Sequence, residues 1–412
     1  MRAILNGLDC VALHQQHMQQ TPKQIFFRFL RFGFLAWGGP VAQISMIRKE
    51  LVDEEKWVTS EQFNRALALY QVLPGPEAHE LCVYFGMKAG GRWGGFLAGL
   101  AFMLPGFLLM LLLTWFYVQF GLQSPLIQTV FGGIQAAVIA LILFAVYRIG
   151  KHSVVNYQLL IIALVSAMAF FIGVHFLLIL LVAGFAYTFW QKKSLLITLS
   201  LALLLIGVSA YKLYDDSAGL TPVTTVQTTP TIQKKTEPAA VFVTGLKGGL
   251  LTFGGAYTAI PFIREDAVVK NGWMTQEQFL DGIALSGILP APLIIFSTFV
   301  GYFGGGWLGA ILITIGIFLP AFCFTLIGHT AMEKLIAHKA LHNFLDGVTA
   351  GVVALIGVTA LQLLISTITS LSAVIILVIA LLTLIRYRSK YTVMIVIAGA
   401  GLFNLLWHYL PS

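Results

Sequence analysis

The chain has 412 residues, of which 58% are hydrophobic and only 10% are charged, and its formal net charge is +8. A soluble protein of this length needs a more polar surface, so the composition excludes a soluble globular protein. The basic excess is typical of the cytoplasmic loops of a membrane protein, and no basic stripe with interleaved aromatic residues points to nucleic-acid binding. We therefore predict an all-α polytopic protein of the plasma membrane, in contact with membrane lipid.

In chain order, the first element is a polar segment, residues 1–23, which lacks the basic-then-apolar layout of a signal peptide and is expected in the cytoplasm. Apolar runs then predict seven transmembrane helices within 24–211 and six within 241–410, about 13 in all. Residues 212–240 are rich in Thr and Pro and are typical of a flexible external linker. The predicted helices are 25–48, 60–90, 94–119, 125–149, 154–172, 174–190 and 195–211, then 241–264, 276–303, 306–332, 343–366, 371–385 and 391–409.

The two parts of the chain repeat one another. At an offset of 216 residues, glycine pairs, an arginine, a tryptophan and two prolines recur in the same order. The offset then falls to 215 and to 214, where Gly91 matches Gly306 and Gly133 matches Gly347. We predict a fused duplication with halves 24–211 and 241–410. The matches at 216 are Gly38-Gly39 with Gly254-Gly255, Arg48 with Arg264, Trp57 with Trp273, and Pro74 and Pro76 with Pro290 and Pro292.

Basic residues in short loops predict the orientation of the chain in the membrane. With these loops inside, helix 94–119 runs outward and its counterpart 306–332 runs inward, so the repeats are inverted. The N-terminus is then inside and the C-terminus outside, provided that 60–90 and 276–303 each cross as one broken helix. The loops assigned to the cytoplasm are Arg148–Lys151, Gln191–Lys193, Lys334–Lys339 and Arg386–Lys390.

Two broken helices stand at equivalent places in the halves. Pro74-Gly75-Pro76 and Pro290-Ala291-Pro292 interrupt apolar segments, because proline removes a donor and clashes with the preceding turn. Such a pair is a pointer to a transporter's substrate site, where half-helix N-termini hold an anion. A kink used only for packing is the alternative. A second pair of breaks, Gly38-Gly39-Pro40 and Gly254-Gly255, allows close approach of either a ligand or another helix.

Ionisable residues near these breaks add to the predicted site. Arg48 and Arg264 offer planar forks suited to a tetrahedral oxyanion, although pairing with the neighbouring carboxylates Glu50, Glu265 and Asp266 is an alternative. Glu77, His79 and Glu80 follow the first Pro break, whereas the second is followed by apolar residues, which favours a substrate or proton role for the first half. The predicted substrate-binding residues are Gly38, Gly39, Pro40, Arg48, Pro74, Gly75, Pro76, Glu77, His79, Gly254, Gly255, Arg264, Pro290 and Pro292.

Other chemistry has less support. The three cysteines, Cys10, Cys82 and Cys323, show no paired spacing, so neither a disulfide nor a metal site is predicted. An intramembrane enzyme that uses Glu77, His79 and Glu80 as acid, base or metal groups stays open as an alternative to a transporter, supported only by the asymmetry of the halves.

In combination, these motifs resemble the chromate ion transporter family in its long, two-domain form, over the whole chain. The resemblance implies a secondary transporter rather than an enzyme, one that exports chromate, confers chromate resistance and needs no cofactor. It also implies about 13 helices in two inverted repeats with broken helices. Sulfate or another small anion is the alternative cargo, and a homodimer stays open. The motifs are Phe32-Gly33-x4-Gly38-Gly39-Pro40, Trp57-x-Thr59-x-Glu61-x-Phe63, Pro74-Gly75-Pro76, Gly90-Gly91 and Leu104-Pro105, whereas Ala256 and Ala291 depart from them in the second half.

Overall fold

The computed structural model describes residues 20–218, 237–329, 339–387, 389 and 391–409, and every regular element among them is helical. The predicted N-terminal segment up to residue 19, most of the linker and most of the basic run 334–339 lie outside the described residues. The α-helices are α1 Pro22–Leu35, α2 Gly39–Arg48, α3 Ser60–Val72, α4 Glu77–Phe116, α5 Pro125–Ser153, α6 Tyr157–Phe171, α7 Phe176–Gln191 and α8 Leu195–Ala218, then α9 Pro238–Leu250, α10 Ile260–Arg264, α11 Gln276–Gly287, α12 Phe296–Leu326, α13 Lys339–Thr367, α14 Leu371–Arg386 and α15 Thr392–Tyr409.

Five stretches of helix in the described part of the chain are long and apolar enough to cross a membrane. Four further apolar helices are shorter. This is the architecture of a multi-pass, all-α membrane protein, as the composition predicts. The long stretches are Glu77–Gly121, Pro125–Ser153, Leu293–Leu326, Leu341–Thr367 and Thr392–Tyr409, and the shorter helices are Tyr157–Phe171, Phe176–Gln191, Leu196–Tyr211 and Leu371–Arg386.

The chain reverses direction at each Pro break. The rings of Phe63 and Phe85 stack with centroids 5.5 Å apart, whereas a continuous helix would hold them roughly 33 Å apart. Helix α3 and the first part of α4 are therefore the two arms of a hairpin whose tip is Leu73–Pro76. The second half repeats this reversal, with the rings of Phe279 and Phe296 5.6 Å apart. Segments 60–90 and 276–303 therefore do not each continue across as one broken helix, which is the condition attached to the predicted orientation.

The predicted helices 25–48 and 241–264 also fold back, each at its Gly-Gly break. Arg28 Nη1 lies 2.5 Å from Glu55 Oε1 across 27 residues of sequence, and Lys247 Nζ lies 2.9 Å from Asp266 Oδ2 across 19 residues. In each case π-helical turns, Lys49–Glu54 and Glu265–Lys270, lengthen the returning arm. Each half thus begins with two hairpins. In each half two predicted crossings become hairpins that return to the side from which they start. Because two is an even number, the predicted sides of the two termini do not change.

A sharp glycine turn leads from the second hairpin of each half into the next helix. Gly91 has φ +65° and Gly306 has φ +62°, a backbone region that other residues rarely adopt. After the turn the chain runs back along itself so closely that a Cβ on Gly86 would lie 2.3 Å from Ala98 Cβ. Gly301 packs against Gly309 at the equivalent place. Helix α4 is therefore a hairpin arm up to residue 89 and a separate long helix from residue 92.

The halves interlock through helices at equivalent places. In α4 and α12, Gly95 meets Leu326 and Gly99 meets Phe322, so the two helices run antiparallel. Helices α5 and α13 are also antiparallel, because Gly150 meets Val353 while Gly357 lies near Val146. Moreover, α7 of the first half packs on α13 of the second, and α15 of the second half packs on α5 of the first. Each half is thus completed by helices of the other.

The Pro tips, residues 73–76 and 289–292, lie at the contact between the halves. The Gly75 amide donates to the Thr252 carbonyl at 2.9 Å. This bond joins the Pro tip of the first half to the Gly-Gly tip of the second half, the turn at Gly254-Gly255. A Cβ on Gly75 would lie 3.3 Å from Ala321 Cβ, and one on Gly106 would lie 2.3 Å from Ala291 Cβ. These two contacts are equivalent in the repeat, and each one joins a glycine to an alanine. Each tip therefore rests on the long helix of the opposite half.

Candidate functional site

A cavity of about 620 Å³ lies between the two Gly-Gly tips. Its wall also includes the last turns of α5, the first turns of α13 and the start of α4. Both halves therefore contribute backbone and side chains to one space. The lining residues are Gly38, Gly39, Pro40, Val41, Ile44, Gln71, Val72, Glu77, Leu141, Phe144, Ala145, Arg148, Ile149, His152, Ser153, Val155, Leu159, Gly254, Gly255, Tyr257, His342, Leu345, Asp346, Thr349, Leu384 and Val393.

The Gly-Gly tips present helix N-termini to the cavity without a side-chain cap. Gly38, with φ +88°, precedes α2, and Gly255, with φ +122°, precedes the 3₁₀ turn Ala256–Ala259. Neither residue can cap the backbone N–H groups that follow it. Uncapped N–H groups carry partial positive charge and bind anions. A Cβ on Gly39 or Gly255 would meet nothing within 4 Å, so the positive φ rather than crowding favours glycine there.

Arg148 is the cation of this cavity. It lies in the last turns of α5, is exposed to the cavity and acts electrostatically on Glu77 and Tyr257. Among the described residues, no side chain forms a hydrogen bond or ion pair with its guanidinium. Two titratable groups on α13 also line the cavity, with His342 Nε2 3.9 Å from Asp346 Oδ2. The arrangement leaves a planar guanidinium fork available to a tetrahedral oxyanion.

Six of the fourteen predicted site residues line this cavity. They are Gly38, Gly39, Pro40, Glu77, Gly254 and Gly255. The five predicted residues of the Pro breaks do not line the cavity and belong to the hairpin tips instead: Pro74, Gly75, Pro76, Pro290 and Pro292. The structure therefore places the Gly-Gly breaks, rather than the Pro breaks, around the accessible space.

The two predicted arginines bind protein groups outside the cavity. Arg48 Nη1 donates to Asn64 Oδ1 at 3.0 Å, and its guanidinium lies 5.7 Å above the Phe63 ring. Arg264 donates to Gln362 at 3.2 Å and to Gln276 at 2.6 Å. The carboxylates near them bind other cations, since Glu50 pairs with Arg28 and Arg31 and Asp266 pairs with Lys247 and Lys270.

His79 and Glu80 are fully buried and do not line the cavity. The His79 ring packs between Phe318 and Phe322, each with its centroid 4.8 Å away. Glu77, by contrast, faces the cavity, so the three groups do not converge on one space as an enzyme site requires. In the described part of the chain, no group of three or more His, Cys, Asp or Glu side chains could hold a metal ion.

Sequence reasoning missed Arg148, because it assigned the run Arg148–Lys151 to a cytoplasmic loop. A signal was present in the repeat. Arg148 is equivalent to Gln362, so a charge occurs in the first half where the second half has a neutral amide. The same kind of asymmetry singled out Glu77, which does reach the cavity.

Comparison with known proteins gives a consistent result for both halves. A family model described as "Chromate transporter" matches residues 23–188 and again residues 239–405. The chain is 51% identical over 397 residues to the chromate transport protein of Pseudomonas aeruginosa, a match that covers 94% of this chain and 92% of that protein. It is 30% identical over 388 residues to the chromate transport protein of Cupriavidus metallidurans, with 94% and 93% covered. No solved structure matches.

Proposed function

Since this chain belongs to the chromate transporter family, we propose that it is a secondary transporter that exports chromate through the cavity between its Gly-Gly tips. The observation that carries this proposal is the guanidinium of Arg148, which has no side-chain partner among the described residues and lines one cavity with two uncapped helix starts from opposite halves. Chromate is a tetrahedral dianion, and a guanidinium fork with backbone N–H groups is a suitable donor set for such an ion.

In this proposal the anion lies near the Gly-Gly tips, where both halves reach it. Arg148 supplies the positive charge, and the N–H groups after Gly38 and Gly255 supply neutral donors with the positive ends of their helices. Glu77, also in the wall, is an acidic group of the first half that interacts electrostatically with Arg148. The Pro tips support this site through the hydrogen bond of Gly75 to Thr252.

The orientation in the membrane follows from the hairpins. We infer that four re-entrant hairpins and nine crossing helices form two inverted halves, 24–211 and 241–410. The antiparallel contacts of α4 with α12 and of α5 with α13 support this inversion. The basic end of α5, with Arg148, Lys151 and His152, is then cytoplasmic, as is the cavity that it lines. The N-terminus is inside and the C-terminus outside.

Export of a dianion is favoured by an inside-negative membrane potential. Moving one elementary charge across 100 mV changes the free energy by about 2.3 kcal/mol, so two negative charges gain about 4.6 kcal/mol on leaving the cell. A cavity that faces the cytoplasm loads the anion on the side from which this gradient drives it. Export therefore needs no further ion in this account.

The test is chromate accumulation in cells that express the intact chain. Arg148→Gln removes the charge that holds the anion, whereas Lys151→Gln removes a neighbouring exposed charge that does not line the cavity. A hydrogen bond to a charged group contributes roughly 1.5–3 kcal/mol, so binding in Arg148→Gln should weaken about tenfold or more. Cells with the wild-type chain or Lys151→Gln should accumulate less chromate than the empty control, and cells with Arg148→Gln should not.

Adding sulfate to the medium tests whether sulfate is an alternative cargo. Sulfate is also a tetrahedral dianion, so the donor set described above suits it equally. If the added sulfate raises chromate accumulation towards that of cells with the empty control, the two anions share the site. If the chain raises chromate or sulfate uptake instead, the export proposal is wrong and an importer of small oxyanions replaces it.

A further inference from the structure

A buried polar cluster lies at the end of the molecule opposite the cavity. Asp281 of α11 is 4% exposed and accepts hydrogen bonds from the Tyr117 hydroxyl at 2.6 Å and from Gln135 Nε2 at 2.9 Å. Tyr117 follows α4 and Gln135 lies on α5, so the cluster joins the second hairpin of one half to two helices of the other. The rings of Phe131 and Phe299, each 5.2 Å from Tyr117, enclose it.

The internal repeat shows what the cluster does. Gln135 is equivalent to Thr349, and Asp281 is equivalent to Arg65. On the cavity side, Thr349 lines the cavity and donates to the Leu345 carbonyl of its own helix, while Arg65 is exposed. Gln71 and Val72, near the end of α3, also line the cavity, so the described parts of α3 and α13 border the cavity where their counterparts α11 and α5 pack together.

Other equivalent positions differ in the same way. Phe144 lines the cavity, and its counterpart Val358 is only 8% exposed. Arg148 is exposed in the cavity, and its counterpart Gln362 is half-buried and bound to Arg264. In an inverted repeat, exchanging the conformations of the two halves turns an inward-open form into an outward-open one. The packed region around Val358 is the outer counterpart of the cavity in its closed form.

We propose that Tyr117, Asp281 and Gln135 form an outer latch that keeps the external end of the transport path closed while the cavity is open to the cytoplasm. The latch must part for the anion to leave, and Asp281 then separates from the Tyr117 hydroxyl and from Gln135 on α5. Two donors on one carboxylate in a dry setting hold the closed form firmly without any cargo. This inference rests on the inverted orientation proposed above but not on chromate as the cargo.

The test is the sidedness of cysteine labelling in intact and inverted membrane vesicles, in full-length chains from which Cys10, Cys82 and Cys323 have been removed. With the latch intact, a membrane-impermeant maleimide should label Phe144→Cys from the cytoplasmic side and should not label Val358→Cys from outside. Tyr117→Phe removes only the latch hydroxyl. It should increase labelling of Val358→Cys about two- to tenfold, as expected for the loss of one side-chain hydrogen bond, and decrease that of Phe144→Cys.

Tyr187→Phe is the matched control, because it removes a hydroxyl that, among the described residues, accepts from Asn156 Nδ2 at 2.9 Å, away from the latch. It should leave both labelling rates unchanged. Asp281→Asn, which keeps the side-chain size, provides a second latch variant if Tyr117→Phe folds poorly. Unchanged labelling in both latch variants, or a rise at both cysteine positions together, would overturn the latch, since the second result indicates general loosening. The labelling uses no chromate, so its result stands whether or not chromate is the cargo.

Discussion

A methyl group added at Gly106 tests how the Pro tips rest on the opposite half. Gly106 lies inside the long helix α4, where replacement of glycine by alanine normally stabilises a helix by about 1 kcal/mol. Its added Cβ would, however, lie 2.3 Å from Ala291 Cβ in the tip between Pro290 and Pro292. Ala291 has no rotamer that moves its methyl group away, so the tip itself must shift.

The size of the effect follows from that distance. Carbon atoms in contact lie about 3.5–4.0 Å apart, so the tip must retreat by more than about 1 Å. Overpacking of this kind costs roughly 1–3 kcal/mol, which outweighs the gain in helix propensity. We expect Gly106→Ala to destabilise the protein by up to about 2 kcal/mol relative to the wild type, and by roughly 1–3 kcal/mol relative to a helix Gly→Ala change without a clash. Adding Ala291→Gly should restore most of this loss, because the double variant has the arrangement of Gly75 and Ala321 at the equivalent contact.

The assay is thermal unfolding of the detergent-purified chains in a double-mutant cycle. Gly399→Ala is the control, because a Cβ there would meet nothing within 4 Å on helix α15. The control should be neutral or slightly stabilising. If Gly106→Ala is as stable as the control, or if the double variant is no better than Gly106→Ala, the tips do not rest on the opposite half as described.

Two further predictions concern the ends of the molecule. Glu50→Gln removes the negative charge that Arg28 and Arg31 share. It should lower the free energy of unfolding by roughly 1–2 kcal/mol, measured by the same unfolding assay. An unchanged free energy of unfolding would show that the exposed Arg31 pair is fully screened. Burial and the nearby charge of Lys270 lower the pKa of His175, which lies between α6 and α7. Its protonation therefore disfavours the fold, so wild-type stability should fall relative to His175→Gln as the pH drops below about 6.5, and parallel pH profiles would contradict this.

The repeat was visible in the sequence because glycine, proline and tryptophan fix special local geometry. Thr59 and Thr275 begin α3 and α11 with complete capping boxes, as their spacing to glutamine suggests. The reversals at the tips were not predictable from hydropathy. An arm such as α3 has 13 residues and is about 20 Å long, too short to cross alone, but two arms in line would be long enough. A re-entrant hairpin and a single broken helix have the same apolar composition and the same proline break. Only tertiary contacts, such as that of Phe63 with Phe85, distinguish the two arrangements.

The candidate site was predicted in part for a similar reason. Gly38, Gly39, Gly254 and Gly255 were identified because positive φ and close approach leave a signature in composition. Arg148 carries no such signature, because an arginine at the end of a cytoplasmic helix is what the positive-inside rule expects. Only the fold shows that the last turns of α5 border the Gly-Gly tips. Comparing Arg148 with its neutral counterpart Gln362 in the repeat would have identified Arg148 as a candidate site residue from the sequence.

Whether Arg148 holds chromate in the cavity between the Gly-Gly tips can be measured with purified protein in liposomes. Chromate flux would be measured under an imposed membrane potential for the intact chain, Arg148→Gln and Lys151→Gln. We expect flux towards the positive side for the intact chain and for Lys151→Gln, and a flux at least about tenfold lower for Arg148→Gln at low chromate concentration. Equal flux through all three chains would contradict this expectation.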